Sequence, residues 1–138
     1  MKAEKHSHFI GELGFKVLEF RKDYAQVALD LEPWHLNRLG VVHGGVLMTL
    51  LDTTCSMCGL YSADRDSRKA SVTVSLNTNF IGQARHGRIV AVGTSTASGK
   101  SLYFASAEIR SEEGALLATA TSVHRYRDLR HKAAKSAA

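Results

Sequence analysis

Sixteen residues of this chain concentrate the groups with chemical use: Asn37-Arg38-Leu39-Gly40-Val41-Val42-His43-Gly44-Gly45-Val46-Leu47-Met48-Thr49-Leu50-Leu51-Asp52. Two consecutive glycines, Gly44 and Gly45, open a stretch with helical spacing. Glycine permits close backbone approach and positive φ, and the first turn of a helix leaves its N–H groups unpaired. With the helix dipole behind them, such donors favour a developing negative charge, which is what an oxyanion hole requires. Asp52 lies two turns further on, about 12 Å along a helix rising 1.5 Å per residue. One protomer therefore cannot easily bring both groups to a single reacting carbonyl. If the two act together, a symmetric dimer is the neat solution, each helix giving its N-terminus to one site and its carboxylate to the other. Each group also has a plainer reading. A Gly-Gly pair caps or turns a chain, His43 alone reads as a structural histidine, and Asp52 reads as a structural or exposed carboxylate, although an ionised group in an apolar helix is costly to bury unpaired.

The elements that must position these residues are legible from periodicity. Gly14 to Phe20 and Tyr24 to Leu31 read as strands, the second with Val27, Leu29 and Leu31 alternating against Gln26, Ala28 and Asp30. Glu32 to Val42, with Pro33 and Gly40, is an irregular connection. Gly44 to about Tyr61 reads as the one helix, its apolar face carrying Val46, Leu47, Leu50, Leu51, Thr54 and Cys58, with Asp52 on the shoulder. Four β-branched runs follow, at 70–80, 88–97, 101–110 and 115–126. Their tight connections make the last three antiparallel neighbours. The order β-β-α-β-β-β-β places one helix on one face of a six-stranded sheet, an α+β arrangement.

At 138 residues, with 44% apolar and 22% charged, the chain has the composition of one globular domain. No apolar run nears the roughly 20 residues of a membrane span, and Met1 to His6 lacks the pattern of a secretory signal. A cytoplasmic protein without membrane association is the expectation. The net charge of +5 is unevenly spread. Arg125, Arg127, Arg130, Lys132 and Lys135 cluster in the C-terminal segment, and residues 127–138 read as a basic, solvated tail rather than a nucleic-acid site. Between Ser67 and Ala107 there is no acid, while Arg68, Lys69, Arg85, Arg88 and Lys100 are all basic. That bias fits either a solvated face or an anionic, phosphate-bearing ligand. Cys55-Ser56-Met57-Cys58 is a CxxC inside the helix, with no second ligand pair at zinc spacing, and is expected to pack in the core. His6, His8, His35, His86, His124 and His131 are expected at the surface or in loops, and Phe9, Phe15, Trp34 and Phe80 in the core or lining a pocket.

The spaced set Asn37, Gly40, His43, Gly44, Gly45, Leu50 and Asp52 resembles the acyl-CoA thioesterases of the hotdog fold, in their PaaI-like branch. The resemblance continues through Val72 to Phe80, the Gly87 turn and Ser98-Gly99-Lys100-Ser101-Leu102 to the last strand, covering roughly residues 10 to 126 of a single domain. It implies a curled antiparallel sheet wrapped around a long central helix. It also implies hydrolysis of an acyl-CoA thioester, of an aryl or medium-chain acid, without metal or cofactor, CoA being part of the substrate.

In that reading Asp52 is general base or nucleophile, and the Gly44 N–H polarises the thioester carbonyl. Asn37 and His43 position groups around it, and Thr73 holds the attacking water, with Ser75 as the competing alignment. Gly45, Phe80, Arg85, Arg88, Gly99, Lys100, Ser101 and Arg125 are the candidates for holding substrate and CoA. A homodimer with shared sites, assembled further as a dimer of dimers, is the expected partner arrangement. Two alternatives stand beside it: an acyl or CoA sensor of the same fold without turnover, and a hotdog dehydratase acting on hydroxyacyl thioesters.

Overall fold

The computed structural model describes residues 8–128; the rest of the basic tail, with His6 and His131, lies outside them. The chain runs α1 (His8–Leu13), β1 (Lys16–Arg21), β2 (Tyr24–Asp30), α2 (Gly44–Cys58), β3 (Ala70–Phe80), β4 (Arg88–Ser98), β5 (Leu102–Ser111) and β6 (Leu116–Arg127), with 3-10 turns at Pro33–His35 and Arg65–Ser67. The strands form one antiparallel sheet in the order β1-β2-β4-β5-β6-β3. It curls around α2, which touches all six strands. This is the α+β hotdog architecture.

Alternation decides which side chains meet the helix. Val27 and Leu29 of β2, Ile89 and Ala91 of β4, Ala105 and Ile109 of β5, and Ala118 and Ala120 of β6 are buried in one core with Leu47, Leu50, Leu51, Cys55 and Cys58 of α2. Many of the sheet positions are small, which lets the helix lie close. Gly93 marks the tightest approach: a Cβ there would stand 2.8 Å from the Cys58 sulfur and 2.9 Å from the Thr54 methyl carbon. The two cysteines are free and buried, and burial pushes their thiols up to about 11 and about 12, so they serve as packing groups. Among the described residues no helix is long and apolar enough to cross a membrane.

The later strands shift from expectation by a single residue at most, and the larger departures lie at the start of the chain and the end of the helix. The one-turn α1 carries too little periodicity to be seen, and Gly14, at φ +86°, turns the chain into β1 two residues later than expected. The helix expected to reach Tyr61 stops at Cys58, with Gly59 as its C-cap, packed against the Tyr103 ring where a Cβ would come within 2.3 Å. Asp23 takes φ +59° in the β1–β2 turn, allowing β1 to include Arg21.

The sheet order places β3 at an edge, hydrogen-bonded to β6 alone. Its register against β6 shifts between Thr73 and Ser75, a β-bulge that leaves Val74 unpaired. Residues i and i+2 normally share a face; here the extra residue sends Thr73 and Ser75 to opposite faces.

Candidate active site

The loop before α2 is built by its own polar groups. The Asn37 Oδ1 accepts from the Leu39 N–H at 2.9 Å and the Val41 N–H at 3.3 Å. Gly40, at φ +75°, closes the turn onto the Asn37 carbonyl. Arg85 holds the loop from outside, its Nη1 donating to the Leu39 carbonyl at 3.0 Å. His35 is buried: its Nδ1 accepts from the Glu32 N–H, its Nε2 donates to the Leu13 carbonyl, and its own carbonyl takes the His43 N–H. The surface or loop placement expected of His35 is thus half right. It sits in a loop, but as the loop's buried anchor.

His43 is the N-cap of α2, its Nδ1 accepting from the Gly45 N–H at 2.8 Å. The Val46 and Leu47 N–H groups go to the His43 carbonyl. Among the described residues no acceptor takes the Gly44 N–H, so the helix mouth presents one free donor with the dipole behind it. Phe80, at the end of β3, lies over Gly44; a Cβ at that position would be 3.3 Å from its ring. Phe80 is therefore at the helix mouth, and half exposed.

Asp52 belongs to a second cluster further along α2. It is half-buried, and its Oδ1 accepts from the Thr73 Oγ1 at 2.6 Å. Ser75, on the far side of the bulge, lines a hollow on the outer face of the sheet with Asn77, Thr96 and Phe104. Beside Asp52 and Thr73, the side chains of Phe9, Ile10, Met48 and Leu76 border an open depression of about 330 Å³. Phe9 and Trp34 are exposed and Phe15 is buried, so of the four aromatics only Phe15 is a core residue. Behind Thr73 lies His124, opposite it in the register of β3 and β6 and wholly buried. Its Nδ1 is 3.3 Å from the Ser56 Oγ and 3.4 Å from the Thr73 Oγ1, and its Nε2 is 2.8 Å from the Ser122 Oγ. The expected surface or loop placement of His124 is wrong, because the residue lies on β6, which turns it inward. Only its spacing from Ala120 and Ser122 along β6 could have shown it.

The expected substrate-binding cations separate into two groups. Arg85 and Arg88 lie at the end of the sheet that holds the helix mouth. Arg88 is not free for phosphate: its guanidinium makes two bonds to Asp30, at 2.7 and 3.1 Å, and Lys16 approaches the same carboxylate at 2.7 Å. Those two cations hold the Asp30 carboxyl well below the usual range. At the other end, Gly99, Lys100 and Ser101 form the exposed β4–β5 turn, closed by the Gly99 N–H on the Leu102 carbonyl at 2.7 Å. Arg125 is exposed across the strand from Leu102. Among the described residues no three His, Cys, Asp or Glu side chains converge as a metal site needs.

Within one protomer, then, a free amide at the helix mouth and a carboxylate paired with a hydroxyl are both present, two helical turns apart. The family model described as Thioesterase superfamily matches residues 39–118. A Pseudomonas aeruginosa protein that carries an esterase name is 38% identical over 98 residues, which span 70% of this chain and 71% of that one. The mouse acyl-coenzyme A thioesterase 13 is 33% identical over 82 residues, 59% of this chain and 56% of its own. Among solved structures, a mutant of the phenylacetic acid degradation protein PaaI from Thermus thermophilus superposes with a TM-score of 0.74 at 26% identity, covering 85% of this chain and 96% of that one. The chain belongs to the thioesterase superfamily, as a hotdog-fold thioester hydrolase.

Proposed function

We propose that this protein hydrolyses acyl-CoA thioesters, of aryl or medium-chain acids, at sites shared between two protomers. The observation that carries the reading is the Thr73–Asp52 pair at the free edge of the sheet, beside an open apolar depression. Two relatives add to it, one named for acyl-coenzyme A and one for phenylacetic acid degradation.

The sharing follows from β3. Thr73 touches Asp52, and Phe80 touches Gly44, so the two halves of the site hang on one strand seven residues apart. At about 3.3 Å per residue Thr73 and Phe80 themselves lie roughly 23 Å apart along β3. If two β3 edges pair antiparallel about a two-fold axis between Leu76 and Asn77, Thr73 of one protomer falls opposite Phe80 of its mate. That register brings each Asp52 to the mate's Gly44 N–H. It also places Lys100 and Arg125 of one protomer at the same end as Arg85 of the other, which would give the CoA phosphates cations from both. Val72, Val74 and Ile81 leave this edge apolar and about half exposed, at 47%, 54% and 56%. An edge of that kind invites pairing.

In the reaction, Asp52 takes a proton from water while the water oxygen attacks the thioester carbonyl carbon. The negative charge that develops on the carbonyl oxygen is met by the Gly44 N–H. Collapse re-forms the carbonyl and breaks the C–S bond, and the thiolate of CoA leaves with the proton held by Asp52. Asn37, whose side-chain N–H groups are not used in building its loop, and His43, which caps the helix, keep the mouth open and aligned. The test is a panel of phenylacetyl-, benzoyl- and medium-chain acyl-CoA substrates with detection of released thiol. Turnover of at least one, lost in Asp52→Ala, is expected; no turnover of any would overturn the reading.

A further inference from the structure

The hydrogen bonds around His124 pose a question of proton supply. Thr73 has one hydroxyl proton, and it goes to Asp52 Oδ1 at 2.6 Å. A carboxylate that must accept from water is thereby partly occupied by its neighbour. On the other side of the same Oγ1, at 3.4 Å, stands His124 Nδ1.

The ring's protonation follows from its partners. The Ser122 hydroxyl faces the Ala105 carbonyl at 3.4 Å, to which it can only donate, so its oxygen is left to accept from His124 Nε2 at 2.8 Å. Nε2 therefore carries the hydrogen, and Nδ1 of the neutral ring is a lone pair. Burial favours that neutral form by pushing the His124 pKa down, against the opposing pull of Asp52. The ring cannot swing, since it is stacked on Tyr103 with centroids 4.9 Å apart at 17°. Tyr103 is in turn fixed by its hydroxyl donating to the Ser56 carbonyl at 2.7 Å.

We infer that His124 is a positioning residue: its Nδ1 lone pair offers the Thr73 hydroxyl a second acceptor, so that Thr73 can turn from Asp52 and release Oδ1 to the attacking water. No bond other than hydrogen bonds changes in this step. Ser56, at 3.3 Å from the same nitrogen, holds the lone pair's place until Thr73 turns. The inference rests on the hydrolase reading given above.

Two substitutions separate this role from packing. Asparagine places its amide near the Nδ1 position, whereas glutamine reaches toward Nε2. The conservative His124→Asn is expected to keep kcat within about threefold, and His124→Gln to lose about tenfold in kcat with KM little changed, the size of one hydrogen bond at the reacting groups. Equal kcat for the two folded variants would overturn the inference. Nitrogen-15 NMR of the wild-type imidazole supplies a second readout that needs no variant to fold. An unprotonated Nδ1 at neutral pH is expected, and a protonated Nδ1 would overturn the inference. Asp52→Asn serves as the control. If it retains full turnover, the reading of Asp52 as the general base falls and takes this inference with it; if it is inactive while Asn and Gln at 124 are alike, only this inference falls.

Discussion

Thr73 and Asp52 meet across 2.6 Å, hydroxyl to carboxylate, although they are 21 residues apart in the chain and one is on an edge strand and the other on the central helix. The meeting depends on the bulge at Val74, which turns Thr73 toward the helix and Ser75 away from it. Once turned from Asp52, the Thr73 oxygen can accept from the attacking water and hold it, so Thr73→Val should lower kcat by about tenfold, the scale of one lost hydrogen bond, while Ser75→Ala stays near wild type. Steady-state hydrolysis by both variants checks this, and equal losses at the two positions would contradict it.

Asp52→Asn should keep the fold, since volume and shape are retained, yet lose roughly 10² to 10⁴ in kcat, the range of a lost general base. A thermal melt alongside the activity assay separates the two effects. A variant that is inactive only because it is unfolded would show as a lowered midpoint.

Gly93→Ala should destabilise by about 1–3 kcal/mol, the cost of overpacking a tight core. The new methyl would press on the Cys58 sulfur and the Thr54 side chain, both fully buried and neither able to retreat. A lowered melting temperature is expected, with turnover per folded molecule unchanged.

Stability should fall on the acid side in two separate windows. His124 is held neutral in the folded chain with its pKa lowered, while unfolded it titrates at the ordinary value of 6.5. The unfolded state thus binds more protons below that pH, so the stabilisation is full above 6.5 and fades as pH drops toward the folded value. Asp30, also lowered, adds stability above its ordinary value of 3.8 that is lost only at stronger acid. Melting temperatures between pH 7.5 and 5 should decline in wild type and stay flatter in His124→Asn. Parallel curves would contradict the assignment.

Local patterning carried much of this molecule. The alternation of Val27 and Leu29, and the 3.6-residue spacing of Leu47, Leu50, Leu51 and Cys58, foretell which faces are buried, and those residues form the core. The spacing of Gly44 and Asp52 is also what raises the idea of a site shared between two chains. What local pattern does not carry is pairing. The position of β3 beyond β6 follows from long-range hydrogen bonding, and it decides both the free edge and the inward turn of His124. The Val74 bulge hides in an apparently regular alternation of Val72, Val74 and Leu76 against Thr73, Ser75 and Asn77. Arg88 reads as a free cation only until Asp30, 58 residues earlier in the chain, is seen beside it.

The most direct test of the shared site is subunit complementation. Asp52→Asn removes the carboxylate; Gly44→Pro removes the helix-mouth N–H at a first helical position where proline is tolerated, following a residue already in the extended conformation proline demands. Each variant alone should be inactive. Mixed in equal amounts and allowed to exchange, half the dimers are mixed, and each mixed dimer holds one intact site, so about a quarter of wild-type activity should return. Two folded, exchanging variants that recover nothing would place the amide and the carboxylate of each site on the same protomer and contradict the account.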